Sequence, residues 1–112
     1  MQVTLYHNPK CGTSRRVLEI LRELGVEPEI IEYLKIPPSR VQLESLAQKL
    51  GTVADLLRHK EALVVELDLQ NADDATILDA MVQHPILLNR PVVVTPKGAK
   101  VCRPAELVHT LL

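Results

Sequence analysis

Cys11 is the residue in this chain best placed to do chemistry. It stands in Tyr6-His7-Asn8-Pro9-Lys10-Cys11-Gly12-Thr13-Ser14-Arg15-Arg16, with strand-like residues before it and a helical pattern after it. A thiol at the start of a helix faces backbone N–H groups that have no partner inside the helix. The positive helix end and nearby cations lower a thiol pKa from ~8.5 into the range ~3.5–7.5, which makes the sulfur a nucleophile. Cysteine also serves as a small buried hydrophobe, but glycine, threonine, serine and two arginines are not core neighbours. Helix first turns ordinarily carry acidic residues. This one opens with Ser14, Arg15 and Arg16, and Lys10 lies just upstream. Such a local conflict marks a functional site, and it makes sense if an anion binds there.

Cys11-Gly12-Thr13-Ser14 is a C-x-x-S arrangement. A C-x-x-C pair resolves a mixed disulfide with its second thiol. A serine hydroxyl can donate a hydrogen bond to a thiolate but cannot form a disulfide. The resolving thiol must then be Cys102 or come from outside. Cys102 lies in an apolar strand and reads as inert packing.

Three arginines stand at ordered positions. Arg58 ends the short segment Asp55-Leu56-Leu57-Arg58, Arg90 precedes Pro91 and a strand, and Arg103 follows a strand and precedes Pro104. Each alone reads as a solvated surface charge. Converging guanidiniums would grip a tetrahedral oxyanion by two-point contacts. His7 ends the first strand near Cys11, where it either stabilises a thiolate or shapes the loop. His59, His84 and His109 show no metal-ligand spacing, so no metal is expected. The acidic residues form no catalytic pair.

The elements that must position these residues follow from the pattern. Val3–His7 reads as a strand and Ser14–Leu24 as a helix with Val17, Leu18, Leu21 and Leu24 on one face, stopped by Gly25. Glu29–Tyr33 reads as a second strand, parallel to the first in a βαβ unit. Ser39 and Gln42 form a capping box for a helix with Leu43, Leu46, Ala47 and Leu50 in a stripe, ended by Gly51. Asp55–Arg58 reads as a short helical turn. Asp73 or Asp74 caps a helix carrying Ile77, Leu78, Met81 and Val82, closed by His84-Pro85. Pro91–Thr95 and Ala99–Cys102 pair across Pro96-Lys97-Gly98, and Pro104 opens a last helix, Ala105–Leu111. The expected fold is α/β: β-α-β, a helical middle, then β-β-α, within a single domain of residues 1–112.

Composition sets the outer limits. The chain has 112 residues, 46% hydrophobic and 24% charged, with a formal net charge of −1. It is long enough to bury a core without disulfides or metal. The only aromatics are Tyr6 and Tyr33, so Leu, Val and Ile must build that core and base stacking is disfavoured. A net charge of −1 without a basic run argues against nucleic acid or an anionic membrane as partner. No apolar stretch approaches the ~20 residues of a membrane span. Gln2 onward is already strand-like, so no leader is expected. Two distant cysteines do not form a disulfide framework, and a monomeric cytoplasmic protein is expected.

Tyr6-His7-Asn8-Pro9-x-Cys11-Gly-Thr-Ser14-Arg15 resembles the active-site loop of the glutaredoxin-coupled arsenate reductases, the ArsC family. The stretches His84-Pro85 to Arg90-Pro91-Val-Val-Val-Thr-Pro96 and Cys102-Arg103-Pro104 resemble its C-terminal half, and Glu32-Tyr33-Leu34 before Pro37-Pro38 also fits. The resemblance implies a thioredoxin-like fold with a helical insertion over about 34–88 and Cys11 as nucleophile. It implies Arg58, Arg90 and Arg103 as the oxyanion-binding trio, and Pro91 as the cis-proline beside the active cysteine. His7, Ser14 and Arg15 are expected to support the thiolate. The implied activity is reduction of arsenate to arsenite, with glutathione as co-substrate, glutaredoxin as partner and no bound cofactor. A glutathione-dependent thiol reductase would need Cys11 but has less use for three arginines. A regulator of the Spx type, binding a transcription protein, typically carries C-x-x-C as its sensor, and Ser14 counts against it.

Overall fold

Short β-branched and aliphatic runs give this chain a mixed four-stranded sheet. The computed structural model describes residues 1–112, which divide into two units: Met1–Ile36 with Arg90–Leu112, and Pro37–Asn89. The second unit runs from Pro37 to Asn89.

In the first unit the strands are β1 (Thr4–His7), β2 (Glu29–Glu32), β3 (Val92–Thr95) and β4 (Gly98–Val101). Their order is β2-β1-β3-β4. β1 and β2 are parallel; β1–β3 and β3–β4 are antiparallel. The parallel pair is joined by α1 (Gly12–Glu23), as a parallel connection requires. Val17, Ile20 and Leu21 of α1 pack with Leu5 and Val93 of the sheet, with Val3 just before β1, and with Cys102, Ala105, Val108 and Leu111. Each such aliphatic side chain contributes about 1.5–3 kcal/mol on full burial.

Three details depart from the pattern read in the sequence. Leu24 is exposed and Ile20 takes its place in the core: the helix ends at Leu24, where Gly25 turns the chain with φ 77°. Tyr33 lies outside β2, and Ile30 is exposed because β2 is an edge strand. The last helix, Ala105–Leu111, is 3₁₀ rather than α, and Pro104 precedes it as the cap residue rather than opening it.

In the second unit, α2 (Arg40–Leu50) starts with the Ser39/Gln42 capping box and stops at Gly51. α3 (Val53–Leu56) is capped by Thr52 and lies earlier than Asp55–Arg58. α4 (Ala62–Glu66) and a 3₁₀ turn (Leu69–Asn71) have no counterpart in the sequence reading. α5 (Asp74–Gln83) is capped by Asp73, and Pro85–Leu87 forms a further 3₁₀ turn. A bridge between Leu57 and Leu88 ties the turn after α3 to the end of the unit.

Candidate active site around Cys11

Sheet register brings the site residues of the first unit together. In the β3–β4 hairpin Val92 pairs with Val101. One step further the Cys102 N–H donates to the Pro91 carbonyl at 2.9 Å. A second step sets Arg90 opposite Arg103, and Arg103 Nη1 donates to the Arg90 carbonyl at 3.2 Å. In the β1–β3 pair Tyr6 is opposite Val92. Continuing that register brings the end of β1, and the loop that follows it, to the same end of the sheet. The Arg90–Pro91 and Arg103–Pro104 peptide bonds are both cis.

The loop between β1 and α1 is closed by its own polar groups. The Cys11 N–H donates to the Asn8 carbonyl at 3.0 Å, and the Lys10 N–H donates to Asn8 Oδ1 at 3.0 Å. Asn8 is buried. It shapes the loop, a role signalled in the sequence only by its place in an Asn-Pro turn pair. Cys11 is the residue before the helix, with extended backbone, and its carbonyl accepts the first helical bond from the Arg15 N–H at 3.0 Å.

Cys11 is partly exposed. Burial pushes its thiol pKa up. The Ser14 N–H, the Arg90 and Arg103 guanidiniums and the Thr13 N–H outweigh that and bring the pKa below the usual thiol value. Arg103 Nη1 lies 3.6 Å from the sulfur. No short capping bond ties the sulfur to the helix; the N–H groups act on it as oriented dipoles. The cations that lower the pKa are therefore the two hairpin arginines, not Lys10, Arg15 or Arg16. Arg16 is engaged by Glu19 and Glu23, and Arg15 Nη1 donates to the Pro9 carbonyl at 3.0 Å.

Ser14 contributes its backbone to the thiol and its side chain elsewhere. The hydroxyl is fully buried, hydrogen-bonded to His7 Nδ1 at 2.6 Å, and it accepts from the Asn8 N–H at 3.1 Å. The reading that its hydroxyl donates to the thiolate is replaced by this loop-bracing role: the first turn points the side chain inward. His7 is buried, and burial lowers its pKa. Glu32 raises it, while Arg22 and Arg15 lower it further.

Cys102 is buried completely, and burial pushes its pKa up to about 11, against a smaller opposing effect of Lys100. Its thiol is directed at the Lys100 carbonyl, 3.8 Å away. Arg58 belongs to the helical unit, where its N–H donates to the Leu87 carbonyl at 2.8 Å and its Nε donates to Glu61 at 3.1 Å. No group of His, Cys, Asp and Glu side chains is arranged to hold a metal. No helix is long and apolar enough to cross a membrane.

Sheet, cis-proline and helix-start cysteine define a thioredoxin-like protein with one activated thiol. Known proteins narrow that class. Residues 6–111 match the model of the ArsC family. An arsenate reductase of Rhizobium meliloti is 50% identical over 115 residues, covering 100% of this chain and 82% of that protein. One from Escherichia coli is 50% identical over 113 residues, covering 98% of this chain and 80% of the other. The structure of an arsenate reductase from Vibrio cholerae superposes with a TM-score of 0.95 at 41% identity, covering 100% of this chain and 98% of that one. The chain belongs to the ArsC family.

Proposed function

We propose that this protein is an arsenate reductase that uses Cys11 as its nucleophile and external thiols as reductant. The observation that carries this reading is a thiol of depressed pKa set against two hairpin guanidiniums and the N–H groups of a helix start. Arg90 and Arg103 hold the arsenate oxygens by charge-assisted contacts. We assign Arg58 the same anion-binding role from its sequence context, and His7, Ser14 and Arg15 the support of the loop that carries the thiol.

The Cys11 thiolate attacks arsenic(V). An S–As bond forms, one As–O bond breaks, and its oxygen leaves as water after protonation. The guanidiniums and helix N–H groups stabilise charge on the oxygens as that bond breaks. Glutathione sulfur then attacks the Cys11 sulfur. An S–S bond forms, the S–As pair returns to arsenic, and arsenite departs carrying the glutathione proton. Arsenic gains two electrons, one from each sulfur. Glutaredoxin thiol reduces the mixed disulfide and restores Cys11. Ser14 cannot form a disulfide and Cys102 is sealed and protonated, so both reducing thiols come from solution. Such a cycle suits a reducing compartment such as the cytoplasm.

The test is NADPH consumption by glutathione reductase with glutathione, glutaredoxin and arsenate, run beside the same assay with a low-molecular-weight disulfide. Turnover that requires arsenate is expected. Turnover with the disulfide and none with arsenate, in an assay without glutaredoxin and above the rate with glutathione alone, would make the protein a thiol reductase.

A further inference from the structure

The first acidic residue in the chain is Glu19, so three cations, Lys10, Arg15 and Arg16, precede any carboxylate. Arg16 is neutralised by Glu19 and Glu23 on the next turns. Lys10 and Arg15 are exposed and make no ion pair; their bonds are Lys10 N–H to Asn8 and Arg15 Nη1 to the Pro9 carbonyl. The groups that bring the Cys11 pKa down are the Ser14 and Thr13 N–H groups, Arg90 and Arg103. Cations in a helix first turn are locally unfavourable. Two of them, Lys10 and Arg15, therefore flank the nucleophile in the chain without a carboxylate partner.

Arg15 is also held in place. Its Nη1 is anchored on the Pro9 carbonyl, and its Nη2 lies 3.8 Å from where a Cβ on Gly12 would be. The guanidinium thus spans the outer rim of the Cys11 loop, with its other N–H groups available. Lys10 stands on the opposite side of Cys11 in the chain. A ligand suited to this rim has its reacting sulfur in the middle and a carboxylate toward each end.

We infer that Lys10 and Arg15 form the recognition rim for the incoming thiol co-substrate, holding the two terminal carboxylates of glutathione while its sulfur meets Cys11. The assignment rests on the proposed glutathione-dependent cycle. It gives the rim a task separate from the oxyanion pair: Arg90 and Arg103 select the substrate, while Lys10 and Arg15 select the reductant.

The rate of mixed-disulfide formation at Cys11 tests this without arsenate or glutaredoxin. The Cys11 thiolate attacks one sulfur of a disulfide, a new S–S bond forms, and the other half leaves as thiolate. Mass spectrometry follows the rate with glutathione disulfide, which is anionic, and with 2-hydroxyethyl disulfide, which is neutral. The ratio of the two rates cancels any change in the reactivity of Cys11 itself. Exposed ion pairs are individually weak. The ratio is expected to fall roughly threefold in Lys10→Gln or Arg15→Gln and about tenfold in the double variant. Added salt should lower the ratio of the wild type and leave that of the double variant nearly constant.

An unchanged ratio in the double variant would overturn the assignment. So would a parallel loss with both disulfides, which would make the cations activators of the thiol. A ratio unchanged toward free glutathione, with slower reduction of the mixed disulfide by glutaredoxin, would instead make the rim a docking surface for the reducing protein. A protein that shows the charged-disulfide preference but reduces no arsenate would keep this inference and lose the proposed substrate.

Discussion

Around Cys11 the chain turns from strand into helix, and four donors act on a half-exposed sulfur. Around Cys102 the chain is leaving β4, and the sulfur is sealed with a single carbonyl 3.8 Å away. The two residues are chemically identical and belong to one unit of the fold. One pKa is pulled below the ordinary thiol value and the other is pushed to about 11. The difference teaches that reactivity here follows from which backbone and guanidinium donors the sheet aims at the sulfur. Cys102 immediately precedes Arg103 at the open end of the β3–β4 hairpin. Cys102 packs inward there, while its neighbour Arg103 reaches Cys11.

The strongest way to break the contrast is to exchange the reactive sulfur. Cys11→Ser is expected to lower arsenate turnover by more than about a thousandfold with little change in Tm, since the side chain fills no core position. Measurable turnover in a folded Cys11→Ser protein would move the chemistry to another residue.

The next largest effect lies with the donors. Arg90→Lys or Arg103→Lys keeps a charge but loses the planar two-point contact. Each should lower kcat/KM for arsenate roughly tenfold to a hundredfold, as expected for losing a charge-assisted hydrogen bond of ~1.5–3 kcal/mol. Each should also raise the Cys11 pKa read from iodoacetamide alkylation against pH. Arg58→Lys should share the loss in kcat/KM without the pKa change. An Arg103→Lys protein whose thiol titrates like the wild type would refute the claim that the hairpin tunes the thiol.

Ser14→Ala sharpens the comparison, because it separates the backbone of that residue from its side chain. The thiol keeps the Ser14 N–H, so its pKa should move less than in the arginine variants. The buried Asn8 N–H and His7 ring lose their partner, which costs ~1–3 kcal/mol and should lower Tm by several degrees. A thiol that reverts to an ordinary pKa would show that the hydroxyl acts on it directly.

The smallest effect on activity is expected at Cys102. Cys102→Ala should keep turnover within about twofold, because the proposed cycle takes its resolving thiol from solution. Its signature is in alkaline stability. The folded pKa of about 11 lies above the ordinary thiol value of 9.0, so the folded state keeps a proton that the unfolded state loses. Stability from this group is complete below pH 9 and is lost as pH rises towards 11; Cys102→Ala should remove that part of the alkaline slope. Cys11 has the opposite sign: its folded pKa is depressed, so it adds stability above the ordinary thiol value that fades as pH falls through the folded pKa. A Cys11–Cys102 disulfide formed during turnover would end the distinction.

Much of this arrangement was legible in residue order. The strand–loop–helix around Cys11, the Ser39/Gln42 box, the Asp73 cap and the Pro96-Lys97 turn each have a local cause, so they could be read locally. What stayed hidden depends on packing partners. α4 lacks a side-chain cap and is held by its surroundings. Leu24 continues the apolar stripe in sequence, yet it falls where the chain turns at Gly25 and is exposed. Positive charge around Cys11 was visible, but not its division of labour. Arg90 and Arg103 reach the sulfur through the register of distant strands, whereas Arg15, four residues away, is drawn to Pro9.

The hairpin that pairs Arg90 with Arg103 closes through two residues, Pro96 and Lys97, between the Thr95–Gly98 pair. Gly98 has φ 132°, a left-handed backbone that side chains resist. Side chains alternate faces along a strand, so the parity of the connection decides which way Arg103 points. One residue inserted at the turn would slip β4 and set Arg103 on the opposite face, while two inserted residues would lengthen the loop and leave the pairing intact. Chain length at this remote bend, and not only the identity of the arginines, therefore governs whether both guanidiniums face the proposed anion site.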